Sequence, residues 1–314
     1  MVNLFLRQLL SFAGTLALVL TLVFIGVRAL PGDAASLRGG IEASSEDVAA
    51  IRQALGLEAP LWRQYLGYWS GLLRGDLGES IREGRSVSTI LVERLPVTLA
   101  LASLAFFLSI VVGFGFGLAA GLNPNSSTDR FVLGCTTLGL TAPEFWIGFL
   151  FILLFAVTVG WFPLIGYPQE AGAGLLSRLH HLALPALTLA IPRSAQLARM
   201  ARAQLLEERG ADYVRTALSK GLGRRGIARH LSANALPPLL PLLALELGGL
   251  LTGTIIVEQV FGLPGLGLAI LGSISARDYP VVQGVTILAV VIYVSVNWLA
   301  DLSQLLADPR LRYG

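Results

Sequence analysis

Four carboxylates stand where a carboxylate is expensive. Glu144 and Glu246 fall well inside long apolar stretches, while Glu258 and Asp301 lie nearer the ends of theirs. An ionised side chain within a bilayer persists against a partner or beside a water-filled path. Glu144 and Glu246 are therefore candidates for lining or gating a passage. The competing reading pairs each structurally, for example with Arg193, or leaves it protonated against a backbone carbonyl. Glu258, with Phe261 and the turn that runs to Gly267, is placed by its position to shape an outer gate.

Other chemistries are excluded. The only lysine, Lys220, is followed by Gly221 and Leu222, whereas a phosphate-cradling loop needs Gly-Lys followed by Ser or Thr. Any ATP and Mg²⁺ must be held by another subunit, and no cofactor is expected here. Neither Gly-x-Ser-x-Gly nor His-Glu-x-x-His occurs, and no histidine stands mid-helix, so no catalytic residue is expected. The single cysteine, Cys135, reads as a small buried hydrophobe. His180 and His181 are adjacent, and neighbours on a helix point about 100° apart, a poor chelating geometry. They read as structural or interfacial, with no metal site, and His230 belongs to a basic loop.

The elements that must carry these residues follow from composition. The chain of 314 residues is 54% hydrophobic and 14% charged, against about 25% charged for a soluble domain. Six apolar segments can cross a bilayer as helices: 9–30, 96–122, 131–158, 182–202, 236–258 and 281–306. Pro185, Pro192 and Arg193 make the fourth the weakest, and such interruptions need neighbouring helices or a wet cavity. Alternation typical of barrel strands is absent. The first segment is too long for a secretory signal and reads as a retained helix.

Short-loop cations set the orientation. Arg7, Arg130, the run Arg199, Arg202, Arg209, Arg215, Lys220, Arg224, Arg225 and Arg229, and finally Arg310 and Arg312 mark one side. Only Arg178 and Arg277 mark the other. The first side is expected to be cytoplasmic, with both termini inside. Residues 31–95 then face outside. Ser44 or Ser45 caps a helix through Val48, Ile51, Leu55 and Leu57, with Gly56 as a stop. After Pro60, the aromatic-rich stretch Leu61–Trp69 suits a membrane–water boundary. That outer segment is either a plain cap or a guide for solute.

The basic loop is the most designed part of the sequence. Asp212 reads as the N-cap of a short helix Tyr213–Lys220, with Gly221 as its left-handed stop. A second basic helix runs from Arg224 to about Ala235. Two turns do not persist alone in water, so the surface bearing Tyr213, Val214, Ala217 and Leu218 needs a partner. One reading is a peg for a groove in another protein. The other is a topogenic loop that binds anionic lipid.

The string Asp212-Tyr213-Val214-Arg215-Thr216-Ala217-Leu218-Ser219-Lys220-Gly221-Leu222, then Arg229-His230 and Asn234-Ala235, resembles the coupling loop of inner-membrane permeases of ATP-binding-cassette importers. The branch it resembles handles dipeptides, oligopeptides and nickel. Arg215, Thr216, Ala217 and Gly221 stand at the leading positions of the permease signature, and Leu231, Ala233 and Asn234 at its closing ones. Leu218 and Ala233 depart from the usual basic residues. Further strings match in order: Phe24 to Asp33, Leu73 to Ser80, Glu93 to Leu99, Pro143 to Trp146, His181 with Leu184 to Thr188, Glu258 to Gly267, Arg277 to Pro280, and Asp308 to Arg310.

The resemblance implies an all-α polytopic membrane protein with the type I importer permease fold of about six transmembrane helices. Residues 1–30 would be the first span, 31–95 external and 96–306 the permease domain, with its coupling loop at 203–235 and a tail at 307–314. It implies partnership with a second similar permease, two cytoplasmic ATPases and an external solute-binding protein in a bacterial inner membrane, besides lipid; nucleic acid is not a partner. The coupling residues it implies are Asp212, Tyr213, Arg215, Thr216, Ala217, Lys220, Gly221, Arg229 and Asn234. The expected cargo is a short peptide, with a nickel or metal chelate or glutathione as alternatives. The branch's nickel transporters prompt a metal hypothesis for His180 and His181, but His181 also matches a histidine of peptide-type members. An ion-coupled secondary transporter is a different class; it predicts an internal repeat that the sequence does not show.

Overall fold

The computed structural model describes residues 2–29, 44–54, 58–168 and 172–307. Leu30–Asp33, the expected stop Gly56 with Leu55 and Leu57, and Asp308–Arg312 lie outside those residues, as does the side chain of Asp301. The described residues form the α-helices α1 (Val2–Ala29), α2 (Ser45–Ala54), α3 (Leu61–Leu73), α4 (Val87–Leu122), α5 (Ser127–Thr141), α6 (Glu144–Phe151), α7 (Leu175–Arg209), α8 (Asp212–Ser219), α9 (Arg224–Ala235), α10 (Leu240–Phe261), α11 (Leu266–Ser275) and α12 (Tyr279–Ala307). Among them no strand forms, and one isolated bridge joins Glu79 to Ser86.

Among the described residues two helices, Val87–Leu122 and Tyr279–Trp298, are long and apolar enough to cross a membrane. The count rises to as many as four if each pair of apolar helices parted by a short break is one span. The exposed surface carries Phe107, Phe131, Leu138 and Phe149, while Thr98, Thr188, Ser194 and Thr254 are buried. Apolar outside and polar inside is the arrangement a lipid solvent favours, because lipid cannot satisfy a polar group.

The chain divides into two compact units. The first comprises Met1–Val97 and Pro264–Val294. Its core gathers Val87, Ile90 and Leu91 of α4 with Leu266 of α11 and Val281 and Val285 of α12. Gly284 lets α12 approach closely, since a Cβ there would lie 2.5 Å from Val87 Cγ1. Asp278, just before α12, is buried and organises the loop ahead of α4. Its carboxylate accepts from Ser80 Oγ, from Ile81 N at 3.0 Å and from Arg82 N at 3.2 Å.

The second unit comprises Thr98–Leu263 and Ser295–Gly314. Its centre is α7, which is buried along much of its length despite Pro185 and Pro192. Enclosure by other helices explains why α7 can carry Arg193 and prolines and still belong to the bundle. Gly113, Gly117 and Gly121 of α4 form a groove for it. A Cβ at 117 would lie 2.6 Å from Ala201 Cβ, and one at 121 would lie 2.8 Å from Leu205 Cβ.

One expected span is not a single helix. The stretch 131–158 breaks at Ala142-Pro143, and the two halves meet at 103°. Proline disfavours the helical region for the residue before it, and Ala142 is extended (φ −76°, ψ 127°). The apolar run hides this break because both sides are equally hydrophobic. The break moves Glu144 from mid-helix to the first turn of α6, where the helix dipole favours an anion.

Candidate functional site

The two intramembrane carboxylates meet on one cation. Arg193, on α7, places Nη2 3.4 Å from Glu144 Oε1 on α6 and Nη1 3.4 Å from Glu246 Oε2 on α10. Nη2 also donates to the carbonyl of Gly249 at 3.3 Å. Glu246 is buried at 4% exposure, whereas Glu144 and Arg193 are about a fifth exposed. Glycines make the bed: a Cβ at 249 would lie 2.7 Å from Arg193 Nη1, and one at 253 would lie 3.1 Å from Glu144 Oε2. One guanidinium shared by two carboxylates carries a formal charge of about −1 when all three ionise. It joins three helices at one point.

Glu258 and Phe261 lie elsewhere on α10. Glu258 is fully buried, and Thr98 Oγ1 donates to its Oε1 at 2.7 Å. Its backbone carbonyl accepts from Leu263 N at 2.9 Å, closing the helix at Gly262, which is left-handed (φ 61°). Phe261 is buried against α6, where a Cβ at Gly148 would lie 3.2 Å from its ring. His180 Nε2 donates to Trp161 O and His181 Nδ1 to Ser177 O, each at 2.8 Å. Both rings are thus used separately; among the described residues no group of three or more His, Cys, Asp or Glu gathers as a metal site.

The basic loop folds as two helices. α8 begins one residue earlier than the sequence suggests: Ala211 occupies the N-cap position and Asp212 is the first helical residue, making no cap hydrogen bond. The reason is the tight exit from α7, where Gly210 N and Ala211 N bond back to Glu207 O and Glu208 O, so only Ala211 is left extended. Asp212 still opposes the helix dipole and lies 3.6 Å from Arg215. Gly221 is left-handed (φ 76°), and Leu222 N returns to Ala217 O at 3.1 Å, the expected stop.

The apolar residues of α8 divide between two directions. Val214 is buried with Leu205 of α7 and Leu231 and Ala235 of α9, against Leu118 and Leu122 of α4. Leu218 points away from the protein, 57% exposed, and Tyr213 and Leu222 are also open. Asp212, Arg215, Thr216, Lys220, Arg229 and Asn234 are exposed, while Ala217 is half-buried. Tyr213 Oη donates to Glu208 Oε2 at 2.6 Å. Partial loss of water around the phenol first, and then the Glu208 carboxylate, push it above its ordinary range, so it stays protonated.

Sequence reasoning missed a second ion pair below this loop. Arg202 Nε and Nη2 grip Asp129 Oδ1 and Oδ2 at 2.6 and 2.8 Å, tying α7 to the start of α5. Asp129 is 2% exposed. The available signal was Ser126-Ser127-Thr128-Asp129, a capping pattern; Ser126 Oγ does accept from Asp129 N. By sequence Arg202 is one cation in the basic run from Arg199 to Arg229. Below Arg193, then, α7 runs through the Arg202 pair to the Leu205–Val214 contact, and so connects the charged cluster with α8.

Apolar exposed faces around buried charge are the arrangement of a membrane protein. The chain belongs to the binding-protein-dependent transport system inner membrane component family, whose model matches residues 112–313, with the family's N-terminal model matching residues 1–102. Within it the chain groups with permeases of the peptide and nickel branch of ATP-binding-cassette importers. It is 40% identical to a protein of Brucella abortus named as a peptide transport system permease, over 100% of both chains. A peptide ABC transporter permease of Sinorhizobium fredii is 36% identical, with 98% of each covered. The glutathione transport system permease of Salmonella typhimurium is 34% identical over 100% of both. Among solved structures, the inward-facing MetNI methionine ABC transporter shares the fold, with a TM-score of 0.58 at 20% identity over 70% of this chain and 97% of that one.

Proposed function

We propose that this chain forms half of the passage of an ATP-driven importer of short peptides, paired with a second, similar permease. Two cytoplasmic ATPases hold the ATP and Mg²⁺, and an external binding protein delivers the solute. The chain crosses the inner membrane six times, through the segments assigned above, with both termini inside, residues 31–95 outside and 203–235 as the coupling loop. α7 serves as the fourth span because neighbouring helices, rather than lipid, enclose it.

The observation that carries this reading is α8. A two-turn helix braced by Val214, with Leu218, Tyr213 and Leu222 turned outward and ringed by Asp212, Arg215, Thr216, Lys220 and Arg229, suits a groove in a partner. Ala217 and Gly221 fix its shape, and Asn234 supports Tyr213. Motion given to α8 reaches α7 through the Leu205–Val214 contact. Glu144 and Glu246 gate the path at Arg193, and Glu258 with Phe261 shapes the outer turn.

Short peptides are favoured because relatives named for peptide transport are 40% and 36% identical, and glutathione, named for the 34% relative, is itself a small peptide. Proteoliposomes containing the complete complex test the reading with labelled dipeptide, glutathione and a nickel chelate. ATP-dependent dipeptide uptake is expected. Preferred uptake of nickel chelate would refute the cargo, and uptake by this chain without any ATPase would refute the importer.

A further inference from the structure

α3 (Leu61–Leu73) is a helix of three faces. At about 100° per residue, Gln64, Tyr65, Tyr68, Trp69 and Leu72 share a half-buried face. That face is held to α1. Tyr65 Oη lies 2.8 Å from Thr21 Oγ1, Arg28 Nε donates to Gln64 Oε1 at 3.1 Å, and Phe24 meets Tyr65 edge-on at 5.2 Å. Beside it, Trp62, Leu66 and Leu73 form an apolar face that is open, at 59, 58 and 84% exposure. Arg63, Gly67, Ser70 and Arg74 form a third face, polar and also open.

An exposed apolar stripe marks a contact surface, and its depth identifies the contact. The apolar run of α1 extends from Leu9 to Val27 and is followed at once by Arg28. Thr21 lies six residues inside its end at Val27, about 9 Å along the helix axis at ~1.5 Å per residue. Tyr65, bonded to Thr21, is therefore level with hydrocarbon, while Gln64, bonded to Arg28, marks the polar boundary. Amphipathic helices that lie on membranes bury their apolar face about 5–10 Å into the headgroup–acyl boundary. The helix contains two arginines counting its C-cap and no acidic residue, and the Arg63 guanidinium lies 5.1 Å from the Trp62 ring. That composition suits a phosphate layer over acyl chains.

We propose that α3 is a membrane-interfacial helix whose partner is phospholipid. Trp62, Leu66 and Leu73 insert among acyl chains, and Arg63 and Arg74 pair with headgroup phosphates. The embedding rests on the α1 contacts and on α1 being a membrane span, as proposed above; its assignment to the outer leaflet follows from the orientation proposed there. The helix thereby anchors the segment between α1 and α4 to the bilayer surface.

Site-directed spin labelling of the full complex in sealed phosphatidylethanolamine–phosphatidylglycerol proteoliposomes tests this. Cys135→Ser provides the background for single cysteines at 62, 66 and 73, and at 63, 70 and 74. Oxygen should relax the first three labels more than a nickel chelate does, and the order should reverse at the other three. Leu73, the most open of the apolar three, keeps the test valid if a label at 62 disturbs folding. Equal access of the chelate to all six positions places the helix in water and overturns the proposal. Exclusion of both reagents from 62, 66 and 73 points to a covering protein and equally overturns it. A chelate supplied only outside or only inside reports the leaflet, so a wrong orientation is distinguishable from a failed embedding.

Discussion

Removing the Arg193 guanidinium should destabilise the second unit through Glu246 rather than through Glu144. Arg193→Met keeps most of the side-chain volume and takes away the charge. Glu246, at 4% exposure, then loses its Arg193 partner, whereas Glu144 is partly exposed and stays at a helix N-terminus. Breaking a buried pair on one side costs about 3–5 kcal/mol. Here both contacts are long, at 3.4 Å, and the arginine is 22% exposed, so about 2–3 kcal/mol is expected. At about 2–4 °C per kcal/mol, the thermal midpoint of the purified complex in nanodiscs should fall by about 4–12 °C. Arg193→Met/Glu246→Gln removes the stranded charge and should recover most of the loss. The coupling energy follows from the double-mutant cycle. An unchanged midpoint for Arg193→Met, or a double variant no more stable than the single one, would refute this reasoning.

Three further predictions follow from the packing. Gly117→Val drives a Cβ to 2.6 Å from Ala201 Cβ and 2.9 Å from Ala198 O, so a loss of about 1–3 kcal/mol is expected; Gly115→Ala, with nothing within 4 Å, should leave the melting midpoint unmoved. Asp278→Ala strips the acceptors from Ile81 N and Arg82 N, and hydrogen exchange at residues 80–84 should quicken by about one to two orders of magnitude, a local loss of about 1–3 kcal/mol. Gly221→Val forces a β-branched residue to φ 76°; membrane insertion should survive while ATPase co-purification is lost, and undiminished co-purification would remove Gly221 from the docking surface.

What the sequence made legible was local. Gly221 announces its own left-handed stop, and Val214, Leu218 and Tyr213 mark a short helix that cannot stand alone. Charge inside apolar runs singled out Glu144, Glu246 and Arg193, and pairing was already one of two readings for them. What it could not supply was distance across the chain. Arg202 and Asp129 are 73 residues apart, and each alone looks like an ordinary charge at a helix end. The bend at Pro143 was hidden for a different reason: hydropathy is blind to direction, and a proline alone does not decide it, since Pro185 and Pro192 lie inside α7. The same blindness misread Asp212, because whether it caps or begins the helix depends on how tightly α7 ends.

The central claim is that α8 receives the ATPase. Ser219→Cys in a Cys135→Ser background puts a thiol on the exposed side of this helix, to be tested by disulfide cross-linking and by maleimide labelling in right-side-out vesicles. A cross-link to the co-purified ATPase that varies with bound nucleotide, together with protection from an impermeant maleimide added outside, is predicted. Labelling of residue 219 from the outside, with no cross-link in any nucleotide state, would contradict the account.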